Sequence, residues 1–252
     1  MRLARPFALA ALTVGLMAGT APAGTVSLTY DHSTPTAPSG TFQYAAGTAA
    51  VGGTPGPYYF RQNTPINTGL PNTITAFCVE VNQPIASGAT TYMTYSPLSA
   101  TPGLTTNQVG LITKLFANDY SRAWDNTSFA GSSDATAFQL ALWEIMYDGQ
   151  TGSALNVSSG NFQVKSGIAA STIATANSWL TALAGQGSNL GDYQLVYLKN
   201  GYKQDQITMI PNPPKPGNPV PAPAGAVLLG MGGLLAAARN LRKRVAAPTT
   251  AA

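Results

Sequence analysis

One cysteine, Cys78, one histidine, His32, and two glutamates, Glu80 and Glu144, bound the chemistry open to this 252-residue chain. His32 is the one base that a nucleophilic serine would have, and no Gly-x-Ser-x-Gly turn presents such a serine. A zinc site needs several Cys and His ligands, so no metal is expected. Gly185-Gln186-Gly187 follows a helical pattern rather than opening one, which is the wrong side for a phosphate-binding loop. Glu80 and Glu144 leave a carboxylate pair formally open, though carboxylates by themselves are weak grounds for hydrolysis. Asp119, Asp125, Asp134 and Asp148 read as helix caps and solvated loop ends. No cofactor and no turnover chemistry is expected. Cys78 is left as the residue to explain.

The compartment decides what a lone thiol can do, and the two ends of the chain speak to it. Arg2 and Arg5 precede an apolar run from Phe7 to Ala18, and Ala21-Pro22-Ala23 places small residues where a signal peptidase reads. Residues 1–23 are therefore expected to be an export signal cut after Ala23, leaving Gly24 as the first mature residue. Residues 211–223 carry seven prolines, a stiff extended spacer. Ala224 to Ala238 is uncharged and apolar, and Arg239, Arg242, Lys243 and Arg244 come after it. Such a segment marks an inner-membrane address, with the basic end kept in the cytoplasm. Six of the thirteen basic residues lie in the export signal and the C-terminal basic cluster, leaving seven against nine acidic ones and a net charge of −2 for the rest. Nucleic acid is not an implied partner. A mature region rich in Thr, Ser, Gly, Asn and Ala, with 9% charged residues over the whole chain, suits a β-rich extracellular domain.

Outside the cell, Cys78 has no partner for an internal disulfide, and a free exposed thiol would oxidise. It is either buried as a small apolar group or chemically engaged. Alternation over residues 73–81 puts Ile74, Ala76, Cys78 and Glu80 on one face and Thr75, Phe77, Val79 and Val81 on the other. Phe77 and Val81 mark the second face as the core side, so Cys78 is not placed on the evidently buried one.

Further strands are expected at residues 26–30, 41–44, 58–61, 90–95, 193–198 and 206–210, with Gly-, Pro- and Thr-rich separators such as residues 52–57. Between them the period changes. Val109, Ile112, Leu115, Phe116 and Tyr120 fall at helical spacing behind a Thr105/Gln108 capping box. A second helix is expected over residues 134–148, capped by Ser133 and stopped by Gly149. A third runs over residues 167–184, with Ile173, Ala176, Leu180 and Leu183 on one face and Gly185 ending it. Strands, three helices, then strands predict a mainly β, α+β domain over residues 24–210: an antiparallel sandwich or barrel with an inserted three-helix subdomain.

Ala76-Phe77-Cys78-Val79-Glu80 and Ala137-Phe138-Gln139-Leu140-Ala141-Leu142-Trp143-Glu144 together resemble the two motifs of the thioester-domain family of bacterial surface proteins. Gly160-Asn161-Phe162 and Gln204-Asp205-Gln206 add local similarity. The resemblance implies a thioester between the Cys78 sulfur and the Gln139 side-chain carbonyl, with loss of ammonia. It implies supporting roles for Phe77, Glu80, Ala141 and Trp143, the last lying one turn after Gln139 and covering the bond. A rigid strand held against a helix would turn the attack into an intramolecular step, with helix N-terminal amides at the oxyanion. Phe138 stands where the family has threonine. The tail resembles an exosortase-type (PEP-CTERM-like) sorting signal, with Val220-Pro221-Ala222-Pro223 as its motif and Ala222 in the place of glutamate. Together the two resemblances imply an envelope-anchored surface domain, processed by signal peptidase and an exosortase-like enzyme, that attaches to an amine or hydroxyl on a surface or matrix. The alternative is a non-covalent extracellular-matrix or biofilm protein with Cys78 buried and unreacted.

Overall fold

Short β-branched and aromatic runs close into a barrel. The structure, a computed structural model, describes residues 24–31, 38–63, 69–129, 132–150, 152 and 154–213. The expectations for residues 1–23 with the cut after Ala23, for His32, for Val220-Pro221-Ala222-Pro223 and for residues 224–252 fall outside the described residues. Strands β1 (Gly24–Tyr30), β4 (Pro57–Gln62), β5 (Thr73–Cys78), β9 (Gln206–Pro211), β8 (Tyr193–Lys199) and β6 (Thr90–Tyr95) pair in that order, and β6 closes back on β1. Every pairing is antiparallel. Closure leaves the six strands without an open edge, which settles barrel over sandwich. A small sheet of β3 (Val51–Gly53), β2 (Gly40–Gln43) and β7 (Gln163–Ser166) stands beside it. Helices α1 (Thr106–Asp119), α2 (Ser133–Asp148) and α3 (Ala170–Ala182) lie between β6 and β8 in the chain. The expected α+β class, with a helical insertion in an antiparallel β framework, is what the chain adopts. Among the described residues no helix is long and apolar enough to cross a membrane.

Two cores result. Val26, Leu28, Phe60, Ile74, Ala76, Tyr92, Val196, Leu198 and Ile210 fill the barrel. The larger core joins the outer face of the barrel to the helices and the small sheet, and contains Phe77, Phe116, Phe138, Trp143 and Phe162. Strand β5 serves both. Ile74 and Ala76 point into the barrel, while Phe77 faces the helices. The expectation of one core face for this strand is therefore wrong: residues 74–78 are buried on both sides, and Cys78 with them. Alternation finds the two faces of a strand but not what covers the second one. The strand also ends at Cys78 instead of Val81. Val79 N–H makes a last bond to Asp205 O at 2.9 Å, and the chain then leaves the barrel so that Val81 N–H donates to the Tyr147 hydroxyl at 2.9 Å.

The helix signals hold with shifted boundaries. Thr105 and Gln108 form the reciprocal capping box of α1. On α2 the cap is Ser132, not Ser133: its hydroxyl accepts from Ala135 N–H, and Gly149 is the C-cap. On α3 the start is Ala170, not residue 167. Gly167 has φ +83, outside the right-handed helical region, and a Cβ there would meet Ser39 O at 2.4 Å. That helix also stops at Ala182 with Leu183 as cap, before Gly185.

Candidate functional site

Cys78 closes β5 in register with Gln206 of β9. Because Val79 N–H already points at β9, the N–H and C=O of Cys78 point the other way, toward β4. There β4 has run out. Its first residue, Pro57, stands opposite Phe77 and has no N–H to offer. The side-chain amide of Gln139 occupies the place of the missing strand. Cys78 N–H donates to Gln139 Oε1 at 2.9 Å, and Gln139 Nε2 donates to Cys78 O at 2.8 Å. A primary amide has the donor and acceptor of a peptide unit, so it can complete an interrupted ladder without strain.

The sulfur has a second glutamine beside it. Gln206 Nε2 donates to Cys78 Sγ at 3.4 Å and to Gln204 O at 3.2 Å. Cys78, Gln139 and Gln206 are all 0% exposed. Burial pushes the Cys78 thiol far above its ordinary pKa, the Gln206 hydrogen bond opposes that rise, and the Glu80 charge adds to it. The sulfur is therefore held as a neutral thiol, sealed from water.

Two aromatic clusters set α2 against this strand end. Phe138 packs on Phe77 at 4.7 Å between ring centroids, and Phe116, Trp124 and Tyr120 surround it at 4.9, 5.3 and 5.8 Å. This explains the phenylalanine before Gln139: it is the hub that joins α1 and α2 to the barrel. Trp143, one turn after Gln139, packs on Phe42 at 5.2 Å and Phe162 at 5.8 Å. Its indole thereby anchors the small sheet to α2. Ala141 is fully buried in the same helix, where residues 135–145 are all buried. Such a helix is covered all round, and its buried polar side chains Thr136, Gln139 and Glu144 are hydrogen-bonded.

Glu80 acts on the other side of Cys78. Its Oε2 accepts from Asp205 N–H at 3.0 Å, its Oε1 from Gln83 Nε2 at 3.0 Å, and its backbone carbonyl from Gln204 Nε2. Asp205 in turn accepts from the Tyr197 hydroxyl at 2.9 Å and pairs with Lys199 at 3.5 Å. The network ties the turn after Cys78 to the β8–β9 hairpin and so fixes the Cys78–Gln206 register. Glu144 belongs to a different network: its Oε1 accepts from Asn156 N–H at 2.8 Å. Burial raises its carboxyl to about 7, against the Asn156 bond and with the help of Asp148. The two glutamates thus serve separate networks. Asp148 accepts from Asn161 and Phe162 backbone N–H groups at 3.0 and 2.8 Å, a loop-end role of the kind its position suggests.

The helix-start amides expected beside the Gln139 carbonyl are not its partners. Gln139 stands in the second turn of α2, and the amides at the helix start are already taken, Ala135 N–H by the Ser132 hydroxyl and Thr136 N–H by Ser132 O. The donor on the Gln139 carbonyl is the backbone N–H of Cys78 itself. In the sequence Gln206 is legible only as part of the Gln204-Asp205-Gln206 run; nothing in its spacing ties it to a cysteine 128 positions away.

No protein-family model matches the sequence, nor does any curated protein. Among solved structures the chain is similar to the N-terminal domain of the Streptococcus pyogenes pilus tip adhesin Cpa. The identity is 13% and the TM-score 0.40, with 72% of this chain and 97% of that chain covered.

Proposed function

We propose that this is an exported bacterial surface domain that forms a Cys78–Gln139 thioester and spends it once, in covalent attachment to a nucleophile on a surface or matrix. The observation that carries the reading is the two-bond pairing of the Gln139 amide with Cys78, at 2.9 and 2.8 Å. Bond formation balances simply. Cys78 Sγ attacks Gln139 Cδ, the C–N bond breaks, and the thiol proton leaves with the nitrogen as ammonia. Cys78 N–H already donates to the carbonyl oxygen where negative charge develops, a preorganised donor that needs no rearrangement. A primary amine or a hydroxyl then displaces the sulfur, forming an amide or ester at Gln139 and returning the thiol. There is no turnover, so the protein is a reagent and not an enzyme.

The test is the intact mass of the purified mature domain. One ammonia less than the sequence mass is expected, abolished in Cys78→Ala and in Gln139→Ala. Methylamine should restore mass on Gln139 and release one thiol. A full-mass protein whose Cys78 alkylates completely on unfolding would sink the reading.

A second reading is favoured by the 0% exposure of both Cys78 and Gln139. Here Gln139 is a permanent strand cap, Cys78 never reacts, and the protein is a non-covalent matrix component. The same mass measurement separates the two. In either case residues 1–23 would direct export, and residues 211–252 would hold the chain at the inner membrane until an exosortase-like enzyme acts. Deleting residues 224–252 should release the protein to the medium; full retention in the envelope fraction would remove this tail as the anchor.

A further inference from the structure

Gln206 stands out once the site is assembled, because its side chain touches the sulfur rather than the backbone of Cys78. It is fully buried, and its Oε1 has no hydrogen-bond partner among the described residues. An orphaned buried carbonyl is costly, and a cross-strand neighbour of Cys78 chosen for packing alone would be apolar. What the amide achieves in exchange is a donor, Nε2, at 3.4 Å from Sγ.

We infer that Gln206 is the donor to the leaving sulfur when the Cys78–Gln139 bond is opened. The inference rests on the thioester reading and adds a residue to it. In the opening step the amine nitrogen attacks Gln139 Cδ and the Cδ–Sγ bond breaks. The electron pair goes to Sγ, and the amine's proton ends there to regenerate the thiol. Until that proton arrives, the sulfur carries negative charge in a site sealed from water. A thiolate leaves more readily the lower its pKa, and burial here works strongly in the opposite direction. Gln206 opposes that effect of burial by donating to the charged form. The two glutamines thus divide the work: Gln139 supplies the carbonyl, and Gln206 takes charge of the sulfur.

The experiment tracks release of the Cys78 thiol from full-length mature protein treated with methylamine, with intact mass recorded before treatment. A wild type with no mass deficit would overturn the thioester reading itself, and this inference with it. Given the deficit, Gln206→Met should keep it but release thiol on the order of ten- to a hundredfold more slowly, the worth of one hydrogen bond to a charged group. Retained deficit with a wild-type rate would overturn the role. Gln206→Glu covers the case in which the methionine variant fails to fold. Its protonated carboxyl still donates, while its carboxylate repels the thiolate. The rate relative to wild type should therefore fall as pH rises, and a ratio flat with pH would overturn the inference.

Discussion

Phe138 rests on Phe77 with ring centroids 4.7 Å apart, and each ring is one residue ahead of the pair that meets at the strand end, Gln139 and Cys78. The contact sets the height of α2 on the barrel, and the two hydrogen bonds between Gln139 and Cys78 depend on it. Phe138→Ala should cost about 3–5 kcal/mol of stability, the usual penalty for emptying a buried aromatic site. On the thioester reading it should also lower the fraction of molecules showing the mass deficit, because the amide no longer holds its register. Urea unfolding and intact mass on one preparation check both; an unchanged midpoint would show that the cluster is not what seats the helix.

Removing Gln139 and removing the Cys78 side chain should have unequal consequences for folding. Cys78→Ala keeps the backbone N–H and C=O that Gln139 caps. Gln139→Ala strips both of their partner in a buried setting, at about 1–3 kcal/mol for each group left unpaired. Relative to wild type opened with methylamine, Gln139→Ala should be the less stable variant by denaturant titration. Equal stabilities would mean that the amide does not complete the strand.

On the thioester reading, full burial of both Cys78 and Gln139 predicts steep discrimination by size among attacking amines. Methylamine and the unbranched end of a lysine side chain should open the bond, while isopropylamine should be slower by more than about tenfold beyond its handicap against a free small-molecule thioester, a ratio set by exclusion from a packed interior. Thiol release measured across the amine series gives the comparison. A series that tracked the small-molecule thioester would show the bond to be open to solvent.

Glu144 should make stability fall toward alkaline pH. Its carboxyl is raised by burial to about 7, above its ordinary value of 4.5, so the folded state holds a proton that the unfolded chain gives up earlier. The contribution is therefore complete below the unfolded pKa and is lost as pH climbs through about 7. Melting temperature should decline between roughly pH 5 and 8, and Gln in place of Glu144 should flatten that decline while preserving an acceptor for Asn156 N–H. A wild-type profile as flat as that of Glu144→Gln would assign the proton elsewhere.

Composition singled out Cys78 and the resemblance to the thioester-domain family marked Gln139; local chemistry was enough for the Thr105/Gln108 capping box, the stop at Gly149 and the change of period between residues 95 and 193. Each of these last three depends on neighbours within a turn or two, and propensity and periodicity act at that range. Tertiary structure decided the rest. Strands β3 and β7 are three and four residues long, too short to show a period. They exist because β2 brings Thr41 beside Ser166 at 2.8 Å, 125 positions apart. The second buried face of β5 appears only when the barrel closes on one side and α2 lands on the other. Gln139 caps Cys78 across 61 positions and Gln206 reaches its sulfur across 128. No local pattern encodes such distances; they are set by which surfaces pack, and the packing is decided by the whole chain at once.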